Sequence, residues 1–186
     1  MDYESIIGYK NDLLNRNGYE SYSSLDINEF LKRIRVLSKD YENDGKWGIT
    51  AGGLLFFGKN NAIIHAFPHF QLDYYDKSHP EKDRWTDRIS SIESDLNIYT
   101  FFKTVEQKLY STIENPFTID KESAQRIDHK TPMTIALREG LINMLMHTDY
   151  FGDLPLIVNN YLNYYEFANP GKMKVPPQIF STPMTQ

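Results

Sequence analysis

The sequence predicts an α+β fold, and three observations carry that prediction. Residues 131–147 have the start signal and the length of one helix. The runs 154–161 and 164–167 read as a β-hairpin turning at Leu162 and Asn163. Leu96, Ile98, Tyr99, Phe102, Val105, Leu109 and Ile113 recur with the helical period, which makes 95–113 the longest helix candidate.

In chain order, Ile6, Ile7, Leu13 and Leu14 mark an amphipathic helix within residues 1–17, with Gly18 as its stop. A second helix is expected over 25–36, capped by Asp26 with Glu29 three residues on, and apolar at Ile27, Phe30, Leu31 and Ile34. Its basic cluster, Lys32, Arg33, Arg35 and Lys39, reads as a solvated face rather than a nucleic-acid contact, because Asp40, Glu42 and Asp44 follow at once in what reads as a loop. Thr50 caps a short apolar helix ending at Gly58, with Gly52-Gly53 allowing a close neighbour. A phosphate loop ending at Lys59 is rejected: the glycine spacing is wrong, and no strand pattern precedes it. Residues 62–67 are an apolar run broken by Pro68. Residues 70–75 and 84–92 read as antiparallel strands, with Trp85 and either Ile89 or Ile92 inward. Asn115-Pro116 ends the long helix, and 117–130 reads as polar and irregular, with room for one short strand. Beyond Gly171 the Pro-rich tail reads as extended or disordered.

Composition narrows the function classes. The net charge of −5 argues against non-specific nucleic-acid binding by this chain itself. There is no cysteine, hence no disulfide and no thiolate metal site, which suits a reducing cytoplasm. No apolar run reaches the length of a membrane span. His65, His69 and His79 have spacings that match no metal signature.

The chemistry concentrates in the helix at 131–147. Thr131 is its N-cap and Pro132 takes the first helical position, where a missing N–H costs nothing. Ile135, Leu137, Leu141, Ile142, Met144, Leu145 and Met146 predict burial nearly all round. Glu139, Asn143 and His147 interrupt that surface. Steps of four residues drift by only about 40°, so the three form one stripe. Ala136 and Gly140 flank it and leave the backbone approachable. A carboxylate, an amide and an imidazole in line suit a hydrated cation and a water molecule. The bland alternative, a solvated strip, more often holds Lys, Arg or Glu pairs.

These residues also carry a resemblance. Arg138-Glu139-Gly-Leu-Ile-Asn143-Met-Leu-Met-His147-Thr-Asp149-Tyr150 resembles the Arg-Glu-Ala-Leu-x-Asn-Ala-x-x-His-Arg-Asp-Tyr motif of a bacterial family of transcriptional regulators and RecG-like helicase-related proteins. Residues 49–59, Ile-Thr-Ala-Gly-Gly-Leu-Leu-Phe-Phe-Gly-Lys, resemble its Thr-x-Ala-Gly-x-Leu-Leu-Phe-Gly-Lys stretch, and Phe167-Ala168-Asn169-Pro170-Gly171 its Asn-Pro-Gly turn. The family joins a Schlafen/Alba-type DNA-binding domain to a degenerate GHKL-type ATPase domain. The resemblance implies ATP and Mg²⁺ as ligands. Glu139 would orient or deprotonate the attacking water, Asn143 would hold the Mg²⁺, and His147 would support the ion or the phosphates. Asn169 and Gly171 would border the adenine, with an amide where active ATPases carry a carboxylate.

The resemblance divides the chain into a helical segment 1–45, a middle α/β region 46–114, a partial GHKL-like unit 115–175 and a tail 176–186. It puts DNA binding in a domain before residue 1, and the lid beyond residue 186. Two departures argue equally for a site that takes no cofactor. Met144 stands where a small Ala is usual and would fill part of a nucleotide site, and Thr148 stands where Arg is usual. The expected function is a regulatory or nucleotide-sensing domain of a transcriptional regulator, ATPase-like if active. The rivals are a non-catalytic interaction or homo-oligomerisation module, and a metal hydrolase built on Glu139, His147 and Asp149.

Overall fold

The computed structural model describes residues 1–42, 44–113 and 131–171. It is an α+β fold of six α-helices and two sheets among those residues. The expected strand at 117–130 and the tail lie outside the described residues.

Helix α1, Tyr3–Leu14, starts at Asp2, whose carboxylate accepts the Glu4 N–H at 3.1 Å. Gly18 follows with φ of +90°, a conformation that glycine takes without strain. Helix α2, Ile27–Arg33, begins as expected at Asp26, which accepts the Glu29 N–H at 2.8 Å. It ends earlier than the apolar pattern suggests, because Arg35 enters the left-handed region at φ 60° and turns the chain.

Strands β1, Leu37–Asp40, and β2, Lys46–Ile49, then form an antiparallel hairpin that pairs Lys39 with Trp47. The sequence reading saw only a loop here, and found no strand ahead of Gly52-Gly53. The hairpin is exposed along nearly all its length, so it has no apolar alternation to read. The acidic loop is its turn, with Asp44 and Gly45 at positive φ. The basic cluster is exposed, and the Lys32 and Lys39 ammonium groups lie 4.7 and 5.8 Å from the Trp47 ring centroid.

Helix α3, Ala51–Phe57, is capped by Thr50, whose hydroxyl accepts the Gly53 N–H at 3.0 Å. Gly53 is the glycine that contact requires: a Cβ there would sit 2.7 Å from the Val36 carbonyl oxygen. Helix α4, Asn60–Ala66, completes this half.

The four-stranded sheet has the order β4-β3-β5-β6. Strand β3, Leu72–Lys77, pairs antiparallel with β4, Asp87–Ser90, Tyr74 opposite Ile89. Its other edge pairs parallel with β5, Leu156–Tyr161, Tyr74 opposite Val158. Strand β6, Tyr165–Ala168, closes the expected hairpin with β5, Val158 opposite Phe167. The sheet thus draws strands from both sides of residue 115. Ile89 points inward, whereas Trp85 and Ile92 are exposed.

Helix α5, Ile98–Ser111, opens with a capping box between Asn97 and Thr100, and α6, Pro132–His147, packs against it. Leu72, Tyr74, Phe101, Val105, Leu141 and Leu156 lie in the main core. A second cluster, including Ile6, Phe30, Leu31 and Phe57, anchors the N-terminal helices. Buried Asn97 joins the halves: its amide donates to Ser5 Oγ at 3.0 Å and to the Gly58 carbonyl at 3.2 Å.

Burial sets an alkaline limit on this core. It pushes the Tyr74 phenol up to about 12 and raises Tyr99 and Tyr150 as well. All three stay neutral in the fold at pH values where an unfolded tyrosine, with a pKa of about 10, ionises. Their contribution is therefore fully present below about pH 10 and is lost as pH rises through the folded values. Thermal melts should show a falling midpoint above about pH 10, with tyrosinate absorbance appearing together with unfolding. A midpoint that holds steady until well above about pH 11 would contradict this.

Candidate functional site

Helix α6 forms as its start signal requires: the Thr131 hydroxyl accepts the Thr134 N–H at 3.2 Å, with Pro132 next. Its buried face comprises Thr134, Leu137, Leu141, Met144 and Leu145. At about 100° per residue, the middle of the opposite face falls on Glu139 and Asn143, with His147 about 40° further round. All three are exposed. The helix is therefore not buried all round as its composition suggested. Met133, Ile135 and Met146 also face solvent, at 45, 44 and 67% exposure.

The turn after β6 lies beside this helix. A Cβ on Gly140 would come within 3.2 Å of the Phe167 ring, so β6 packs against the small residue in the middle of α6. Three residues on, the Pro170 carbonyl accepts the Asp149 N–H at 3.2 Å. The end of β6 thus runs along the last turns of α6 from Gly140 to Asp149, and Asn169 lies on that path. Gly171 adopts φ of +138°, and a Cβ on it would lie 4.0 Å from the Asp149 side chain. The hairpin folds back along the helix, and the Asn169-Pro170-Gly171 turn meets the chain just past its end, at Asp149.

Two sequence expectations change. Met144 is 4% exposed and packs in the core, about 100° round the helix from Asn143, so it does not intrude on the stripe. Thr148 takes a structural role: its hydroxyl donates to the Met144 carbonyl at 2.6 Å and closes the helix end. The metal-hydrolase reading loses ground, because among the described residues no three His, Asp or Glu side chains converge on one point.

The chemical capacity of the strip follows from its spacing. Glu139, Asn143 and His147 stand about 6 Å apart along the axis, four residues at 1.5 Å each. None of the three side chains has a hydrogen bond or ion pair to another described residue, so all three are open to a ligand. A carboxylate and an amide oxygen at that spacing can share a hydrated divalent cation, each through one water. Among the described residues, no helix is long and apolar enough to cross a membrane.

Sequence reasoning missed a groove of about 370 Å³ on the other flank of α6, between that helix, α1 and α5. Its lining comes from four helices and from Arg16 just past α1, so no local motif marks it.

A family model described as "Domain of unknown function (DUF8451)" matches residues 1–73, through α4 and into β3. No curated protein matches the chain. Among solved structures, the DIP2311 protein from Corynebacterium diphtheriae is similar with a TM-score of 0.59 at 17% identity. The match covers 91% of this chain and 25% of that one, so this chain spans about a quarter of the other protein's length. At that identity the likeness is one of fold.

Proposed function

We propose that this chain is a regulatory, nucleotide-sensing unit of a transcriptional regulator, with DNA met through a different domain. One observation carries the reading. Glu139, Asn143 and His147 line the exposed face of α6, and the Asn169-Pro170-Gly171 turn is hydrogen-bonded to the end of that helix through Asp149. The same residues carry the sequence resemblance to the regulators with a GHKL-type unit. In this reading Asn143 takes the Mg²⁺, Glu139 faces the terminal phosphate and Asn169 meets the base. An amide at Asn169 accepts and donates where a carboxylate only accepts, so it can pair with a base edge that offers both.

Titrating ATP with Mg²⁺ into the chain tests this. The expected result is saturable, Mg²⁺-dependent binding that Asn143→Ala weakens about tenfold or more, with no steady phosphate release. Because Asn143 is exposed, that change should leave the melting temperature nearly untouched. Absence of binding would overturn the nucleotide reading.

A second reading has its own observation. Ile135 and Met146, about 20° apart round α6, expose apolar surface, which suits an interaction or dimerisation module. A chain that ignores ATP but self-associates, and becomes monomeric in Ile135→Glu, would favour it.

A further inference from the structure

We propose that the groove between α1, α5 and α6 binds a small amphipathic carboxylate, an alkyl or aryl body carrying a single anionic head. The volume of about 370 Å³ lies at the small end of the range for ligand sites, roughly 300–1,000 Å³. Phe56, Phe102, Ile142, Leu145 and Met146 provide an apolar lining for the body of such a ligand.

Charge selects the head group. Arg16, Lys103 and Arg138 line the groove, against a single acid, Asp12. Two of these cations are already matched. The Lys103 ammonium lies 3.1 Å from the Asp12 carboxylate, which also accepts the Tyr99 hydroxyl at 3.0 Å. Arg138 pairs with buried Glu106, and its guanidinium sits 5.1 Å from the centre of the Phe102 ring. Arg16 is exposed and has no ion pair among the described residues. One positive charge is therefore left for a ligand, and its planar fork matches a carboxylate. Tyr9 also lines the groove, and burial raises its phenol above the ordinary value, so its hydroxyl is a donor available to the head group.

The groove is separate from the stripe. Arg138, Ile142 and Met146 each precede a stripe residue by one position, so they face about 100° away on the same helix. A triphosphate carries far more charge than one unmatched arginine balances, which keeps a nucleotide out of the groove.

The test is calorimetric titration of octanoate and decanoate into the full chain, with octanol and octylammonium in parallel. Octanoate should bind saturably and more tightly than octanol of the same chain length, decanoate more tightly still, and octylammonium should not bind. Arg16→Gln should weaken decanoate about tenfold or more. Met146→Glu places a like charge in the groove at a position already 67% exposed, and should abolish binding while leaving the thermal melt intact. No decanoate binding, octanol or octylammonium binding as tight as octanoate, or decanoate affinity unchanged in both variants would overturn the proposal.

Discussion

Asp73→Ala is expected to cost about 3 kcal/mol of folding stability, the low end for removing one partner of a buried ion pair. Asp73 sits in β3 at 1% exposure. Its carboxylate accepts from the Gln71 amide at 2.6 Å and from the Arg88 guanidinium at 3.3 Å. Arg88 comes from β4, so the pair ties the antiparallel edge of the sheet to its middle strand. Removing the anion leaves a guanidinium whose side chain is only 25% exposed. The low end applies because Arg88 keeps Glu93 at 2.7 Å and stays over the Tyr75 and Trp85 rings. Urea unfolding of Asp73→Ala, Arg88→Met and the double variant measures the coupling. The double variant should lose less than the sum of the singles. A loss below about 1 kcal/mol for Asp73→Ala would show that the pair contributes little.

Leu141→Ala should cost roughly 2–5 kcal/mol, through lost burial and the cavity left behind. Leu141 is fully buried at the middle of α6, in the core cluster with Leu137, Met144 and Leu145. Two residues along, Asn143 faces solvent, and its truncation should change stability by no more than about 0.5 kcal/mol. Thermal melts of the two variants side by side separate the structural face of the helix from the chemical one. Equal losses would mean that the face assignment is wrong.

Helix α6 shows what could be read from the residues and what could not. Its start was legible because Thr131 and Pro132 act locally, and so was the stripe, since four-residue spacing puts Glu139, Asn143 and His147 on one side wherever the helix docks. Which side faces the core was not legible. Apolar residues on both flanks look alike until α5 and the sheet cover only one of them, leaving Ile135 and Met146 outside. The β1–β2 hairpin was missed for the opposite reason: with little of it buried, nothing forces an alternation. The parallel pairing of β3 with β5 was also unread, because the segments run 72–77 and 156–161 and no local signal links them. The groove beside α6 escaped for the same cause, since Arg16, Phe56, Lys103 and Arg138 meet only in space.

That parallel pair also governs the order in which the chain can assemble. The β3–β4 hairpin can form as soon as residue 90 is made, since its strands are near neighbours. The opposite edge of β3 must then wait for β5 to be synthesised, with α5 and α6 coming in between. During that interval Leu72 and Tyr74, both buried in the finished molecule, border a row of unpaired N–H and C=O groups. Such an edge recruits strands from other chains. Pairing across so long a sequence separation closes slowly compared with helix formation. The nascent chain is therefore most prone to aggregate between the emergence of β3 and that of β5, and a shortened gene product ending in that interval would carry the open edge permanently.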